Sequence, residues 1–121
     1  MQLKIGTERL GSVGVVRCEG RMVYGPETDA VMKAASALNT SGARLVIDMS
    51  AVRAIDSCGI GVLVGIMVSA RNRGGDLRVA NPSAKVSDVL RVTGLHSVFS
   101  HFESVEDAVA SYGKASVVAI A

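Results

Sequence analysis

The chain has 121 residues, 49% of them hydrophobic, and a formal net charge of +2. That length suits one domain with a filled interior, and the composition excludes a disordered chain. Aromatics are only 3% and tryptophan is absent, so few platforms exist for stacking nucleic-acid bases.

The segments "LKIGTER" (3–9) and "SVGVVRCEG" (12–20) partly alternate around Leu10-Gly11, the pattern of a hairpin. Next, Pro26 stands at a good first helical position, with Glu27 and Asp29 behind it to favour the helix dipole. Val31, Ala35 and Leu38, flanked by Met32 and Ala34, form one helical face, and Asn39 to Gly42 ends it. "RLVIDM" (44–49) is a short apolar run typical of a central strand buried on both faces.

Residues 57–73, "SCGIGVLVGIMVSARNR", contain an alternating series, Ile60, Val62, Val64, Ile66 and Val68, that imitates a strand. Interior glycines and length argue for a helix ended by Gly74-Gly75. A strand over 76–81 stops at Pro82, and Val86, Val89, Leu90 and Thr93 follow at helical spacing, closed by Gly94-Leu95. "SVF" (97–99) is read as a last short strand. Ser104 and Asp107 suggest a capping box for a helix over 105–112, with Val105, Ala108, Val109 and Tyr112 on its inner face. The expected fold is therefore α/β: a mixed four- to five-stranded sheet with about four covering helices. The chain is read as one domain, with its core at about 3–112. The apolar tail, 113–121, is not assigned; an edge or a neighbouring surface could receive it.

The cations Lys4, Arg9, Arg17, Arg21, Lys33, Arg44 and Arg53 are scattered singly, and only Arg71, Arg73 and Arg78 come near clustering. Such a pattern solvates a surface and speaks against a nucleic-acid partner. Cys18 and Cys58 lie far apart without a CxxC, and no His, Cys, Asp or Glu pair has metal-ligand spacing. The N-terminal stretch lacks the apolar core of a signal peptide, and the longest apolar run is too short to span a bilayer. A cytoplasmic protein with no membrane partner is expected.

Chemistry concentrates at "AIDSCGIG", where the apolar strand meets the glycine-rich helix. A dinucleotide cradle would use Gly59, Gly61 and Gly65, but their spacing is one residue off the fingerprint. As a nucleophile, Cys58 could gain thiolate character from a helix N-terminus. No Cys-x5-Arg loop supports this, since Val64 stands in the arginine position, and His96 and His101 have no tie to the cysteine. Asp56 or Ser57 suits a helix N-cap. A serine hydroxyl at such a turn can also accept a phosphate, which adds charge without unfolding the helix.

"LVIDMSAVRAIDSCGIGVL", followed by "RGGDLRVANPSAKVSDVLRVTGL", closely resembles the anti-sigma factor antagonist branch of the sulphate-transporter-and-anti-sigma-antagonist (STAS) domain family. The resemblance extends from about Leu3 to about Tyr112. It implies a mixed α/β domain without catalytic activity of its own, and no cofactor is expected. It further implies an anti-sigma factor that is a serine kinase as partner, and a metal-dependent, PP2C-type phosphatase that resets the protein. The family's phosphoacceptor falls on Ser57, and Asp56 and Gly59 match the same motif. Cys58 replaces the second hydroxyl residue of many relatives, a near-isosteric change. The family's "G-x-L-D" loop reads Gly20-Arg21-Met22-Val23 here, without its acid. That loss favours a second reading, a STAS interaction module of a stress-sensing or transport complex lacking the kinase cycle.

Helix 57–73 is apolar nearly all round from Ile60 to Val68, so one stripe can cover the sheet while another meets a neighbouring helix or a partner. Partner contact is expected at Met22, Val23 and Tyr24, together with Asp56, Ser57, Cys58, Gly59 and Gly61. The chain is expected to be a monomer or weak dimer. A reading of another class is a small nucleotide- or thiol-dependent enzyme built around Cys58.

Overall fold

The computed structural model describes residues 3–38 and 42–120, the last eight of them by their backbone. Strand β1 (Leu3–Leu10) and strand β2 (Val13–Met22) pair antiparallel along their length. The two-residue loop between them turns on Gly11 at φ +64, a left-handed backbone that glycine adopts without strain. Strand β3 (Arg44–Ile55) lies parallel to β2, β4 (Asp76–Ala80) parallel to β3, and β5 (Ser100–Phe102) parallel to β4. The sheet order is β1-β2-β3-β4-β5. Helices α1 (Pro26–Leu38), α2 (Ser57–Asn72), α3 (Ala84–Val92) and α4 (Val105–Ile120) are the remaining elements among the described residues. This is the mixed sheet with four helices that the alternation of patterns implies.

The two-sided burial of the "LVI" run follows from the layers. Leu45, Ile47 and Met49 of β3 join Val31 and Ala35 of α1, Leu63, Ile66 and Met67 of α2, and Val86 and Leu90 of α3 in the larger core. Val46 points the other way and meets Val13, Val15, Ala80 and, from α4, Val105, Ala108 and Tyr112. Apolar side chains on both faces are what a strand in the middle of such a sheet requires.

Four expectations are corrected. Strand β3 continues six residues beyond Met49, to Ile55. Its pairing with β4 ends at Asp48, and past that point it pairs with β2 alone, so Ser50, Ala51 and Arg53 are exposed and no apolar run marks them. Strand β2 likewise runs on to Met22. The strand expected at 97–99 is a turn instead: the amides of Leu95 and His96 both donate to the Leu90 carbonyl, and Val98 donates to that of Leu95. Phe99 then drops into the larger core, and β5 starts one residue later. Helix α4 does not stop at Tyr112 but runs to Ile120, through a stretch from Lys114 that has neither glycine nor proline. What the tail packs against lies outside the described residues.

Candidate functional site: the turn between β3 and α2

Met22 and Ile55 are register partners, so β2 and β3 leave the carboxyl edge of the sheet side by side. One residue, Asp56, then links β3 to α2 and serves as the helix N-cap in an extended conformation. Its amide donates to the Met22 carbonyl at 3.3 Å. One carboxylate oxygen, Oδ1, accepts from the amides of Cys58 (2.9 Å) and Gly59 (3.1 Å). The other, Oδ2, accepts from the amide of Tyr24 at 2.9 Å. The cap is therefore Asp56 and not Ser57, and it also ties down the loop after β2.

These bonds hold the carboxylate below its usual range. The Tyr24 amide is the largest cause, partial desolvation opposes it, and the Gly59 and Cys58 amides add to it. Asp56 therefore stays ionised through the neutral range.

Gly59 explains one of the helix's glycines. A Cβ there would sit 2.2 Å from the Met22 carbonyl oxygen, so the first turn of α2 presses on the end of β2 as only glycine permits. Gly61, by contrast, has open space where a Cβ would be, and Gly65 faces Met32 of α1. The glycines thus serve close packing and an open surface rather than a phosphate-binding loop.

The predicted contact residues divide into two layers. Ser57 and Gly61 are exposed, Val23, Asp56 and Cys58 are half-buried, and Tyr24 is 83% exposed. Gly59 is buried, and Met22 is fully buried at 0%. Met22 is thus corrected from rim to foundation. Because β2 is longer than expected, its side chain turns into the core beneath the turn. Between the Tyr24 loop and Cys58 lies an open depression of about 370 Å³, lined by Tyr24, Gly25, Pro26, Thr28, Asp29 and Cys58. Thr28 and Asp29 were not foreseen as neighbours. Thr28 is occupied in starting α1, its hydroxyl donating to the Gly25 carbonyl at 2.7 Å.

The apolar girdle of α2 splits as both expectations allowed. Leu63, Ile66, Met67 and Ala70 are buried, Gly65 lies under Met32, and Gly61 and Val68 remain outside. The thiol reading gains no partner. His96 and His101, the latter on β5, face each other with ring centroids 4.6 Å apart, whereas Cys58 stands in the first turn of α2 at the end of β3. Cys18 is buried, and burial, with the Asp48 charge second, pushes its thiol up to about 12. Among the described residues no three His, Cys, Asp or Glu side chains gather as a metal site. Nor is any described helix long and apolar enough to cross a membrane.

A family profile described as the STAS domain matches residues 4–108, and the chain belongs to that family. Among curated proteins it is 31% identical over 71 residues to a Thermotoga maritima protein named "Putative anti-sigma factor antagonist", which covers 59% of this chain and 63% of that one. The match thus spans less than two thirds of that relative. In fold it is similar to the anti-sigma factor antagonist SpoIIAA in its unphosphorylated form, with TM-score 0.78 and 19% identity over 92% of this chain and 97% of that one. The phosphorylated form of SpoIIAA from Bacillus gives 0.72 and 20%, over 90% and 99%. The murine anion transporter Slc26a9 gives 0.71 and 21%, over 85% of this chain and 18% of the transporter.

Proposed function

We propose that the chain is an anti-sigma factor antagonist, a binding protein without catalysis of its own. Its partner, an anti-sigma factor with serine kinase activity, docks on the Tyr24 loop and the outer first turns of α2. Phosphorylation of Ser57 breaks that contact, and a PP2C-type phosphatase restores it. The supporting observation is the exposed Ser57 at the first position of a helix whose start is fastened by Asp56. A phosphate there adds about −1.5 to −2 charges at neutral pH without removing any bond that holds the turn. Asp56 already takes the amides of Cys58 and Gly59, so they are not free to neutralise the new charge. Desolvating that charge beside an ionised Asp56 makes the docked state costly.

The test is titration with the cognate anti-sigma factor. Ser57→Ala is expected to bind like the parent and Ser57→Asp roughly several hundred-fold more weakly, the effect of a few kcal/mol. Equal binding by both variants refutes the switch, as does failure of the kinase to label the parent and not Ser57→Ala.

A second reading rests on Val23, half-buried at the position where the G-x-L-D pattern of the resembled family has its acid, and on the fold's likeness to a segment of a transporter. On that reading the same surface docks a stress-sensing or transport complex constitutively. Ser57→Asp then leaves binding unchanged while Tyr24→Ala abolishes it.

A further inference from the structure

Away from the Ser57 turn, β1 forms one edge of the sheet, and β2 is its neighbour there. All eight of its residues, Leu3 to Leu10, are in register with β2, whereas the opposite edge, β5, has only three residues. An edge of that length presents a row of amides and carbonyls that another strand can pair with. The faces of β1 are sharply unlike. Leu3 and Ile5 pack into the larger core ahead of the exposed Thr7 and Arg9. Lys4, Gly6 and Glu8 are exposed on the other side, where only Leu10, at the strand end, packs against the smaller core. On that side α4 packs over β3, β4 and β5, and an open depression of about 400 Å³ includes Lys4, Gly6, Arg17, Glu19 and Asp48. A Cβ at Gly6 would meet nothing.

We propose that β1 pairs antiparallel with β1 of a second copy, about a two-fold axis through Gly6, to give one continuous ten-stranded sheet. The register is selected in two steps. Outward-pointing amides and carbonyls belong to alternate residues, so an outward residue must oppose its own class, and every second register is excluded. Of those left, the one that sets Gly6 against Gly6 places Lys4 opposite Glu8 twice, once on each side of the axis. Shifting to Thr7 against Thr7 sets Lys4 opposite Leu10 and Glu8 opposite Gly6. Shifting to Ile5 against Ile5 sets Lys4 opposite Gly6 and shortens the ladder. Charge complementarity therefore belongs to one arrangement. Glu8 is available for it, because both bonds from Arg17 fall on its Oε1. Charges on an edge strand usually deter pairing, but here each would find an opposite charge.

Sedimentation velocity on the full chain across a concentration series tests this. The parent is expected to be a reversible dimer. Lys4→Glu sets acid against Glu8, and Glu8→Lys sets base against Lys4, so each is expected to dimerise about tenfold or more weakly. Mixed in equal amounts, the two variants are expected to recover dimer, since the all-acid edge then faces the all-basic one. Thermal unfolding of each variant establishes that it remains folded. A parent that stays monomeric throughout, single variants that dimerise like the parent, or a mixture that recovers nothing each overturns the proposal. Ser57 variants serve as a control that separates this result from the switch, because Ser57 takes no part in the β1 edge.

Discussion

At the carboxyl ends of β2 and β3 the chain is fastened by Asp56, and at the amino ends of β3 and β4 it is fastened by Tyr112. Both residues hold a helix to the sheet by bonding to backbone. The Tyr112 hydroxyl is placed to donate to the carbonyl of Leu45 (2.7 Å) or Asp76 (2.9 Å) and accepts from the Leu45 amide (3.2 Å). Arg78 lies 4.0 Å over its ring and also bonds the Ser111 hydroxyl. Burial raises the phenol above its usual range, so this fastening stays neutral. Asp56 is half-buried and charged, with Tyr24 and Ser57 exposed around it. The difference teaches where regulation can act. A buried neutral knot only locks a helix, whereas a charged one at the surface can hold a turn rigid and still present its neighbours to a partner.

The largest effect should come from the contact beneath the Asp56 turn. Gly59→Ala drives a Cβ against the Met22 carbonyl and should cost about 3 kcal/mol, the upper range for overpacking. Gly61→Ala, two residues on with open space, should be neutral or gain about 0.5–1 kcal/mol through helix propensity. Urea unfolding of both variants checks this, and equal stabilities would refute the close approach.

The Tyr112 knot should come next. Tyr112→Phe keeps the ring under Arg78 but strips a buried hydroxyl from the Leu45 and Asp76 backbone, at a cost of about 1–3 kcal/mol. Because α4 lies on the other face from α2, the binding proposed for the Ser57 surface should be unchanged. A loss of partner affinity in folded Tyr112→Phe would mean that the two faces are coupled.

Much of this is legible in the sequence alone. The hairpin, the buried central strand and the capping serine of α4 all follow from local pattern, and the Ser104 hydroxyl does accept from the Asp107 amide at 3.0 Å. Even the deceptive alternation from Ile60 to Val68 resolved as a helix, because glycines and length outweighed it. What stayed hidden depends on residues distant in sequence. The burial of Met22 follows from pairing with Ile55, and the Asp56–Tyr24 bond joins positions 32 residues apart. The strand at Ser100–Phe102 owes its place to turns that close on Leu90, which no periodicity announces. Motif resemblance located the junction; only packing distinguished its rim from its foundation.

Asp56 separates capping from tethering, and its effects should be the smallest and most specific. Asn is about as good an N-cap as Asp, so Asp56→Asn can keep the bonds to Cys58 and Gly59. An Asn side chain has one carbonyl oxygen, however, and its amide nitrogen cannot accept from Tyr24. The variant should therefore lose little stability, well under the ~1 kcal/mol of a deleted cap, yet bind the proposed anti-sigma factor partner more weakly because the Tyr24 loop is released. Its pH response should differ as well. The folded protein holds this carboxyl below its unfolded value of about 3.9, so the parent's extra stability is complete above that value and disappears as pH falls through the lower folded one. Acid titration followed by circular dichroism should show that component in the parent and not in Asp56→Asn. Identical acid profiles would show that the ionised carboxylate contributes nothing to the turn, and unchanged partner affinity would show that the Tyr24 bond does not matter for docking.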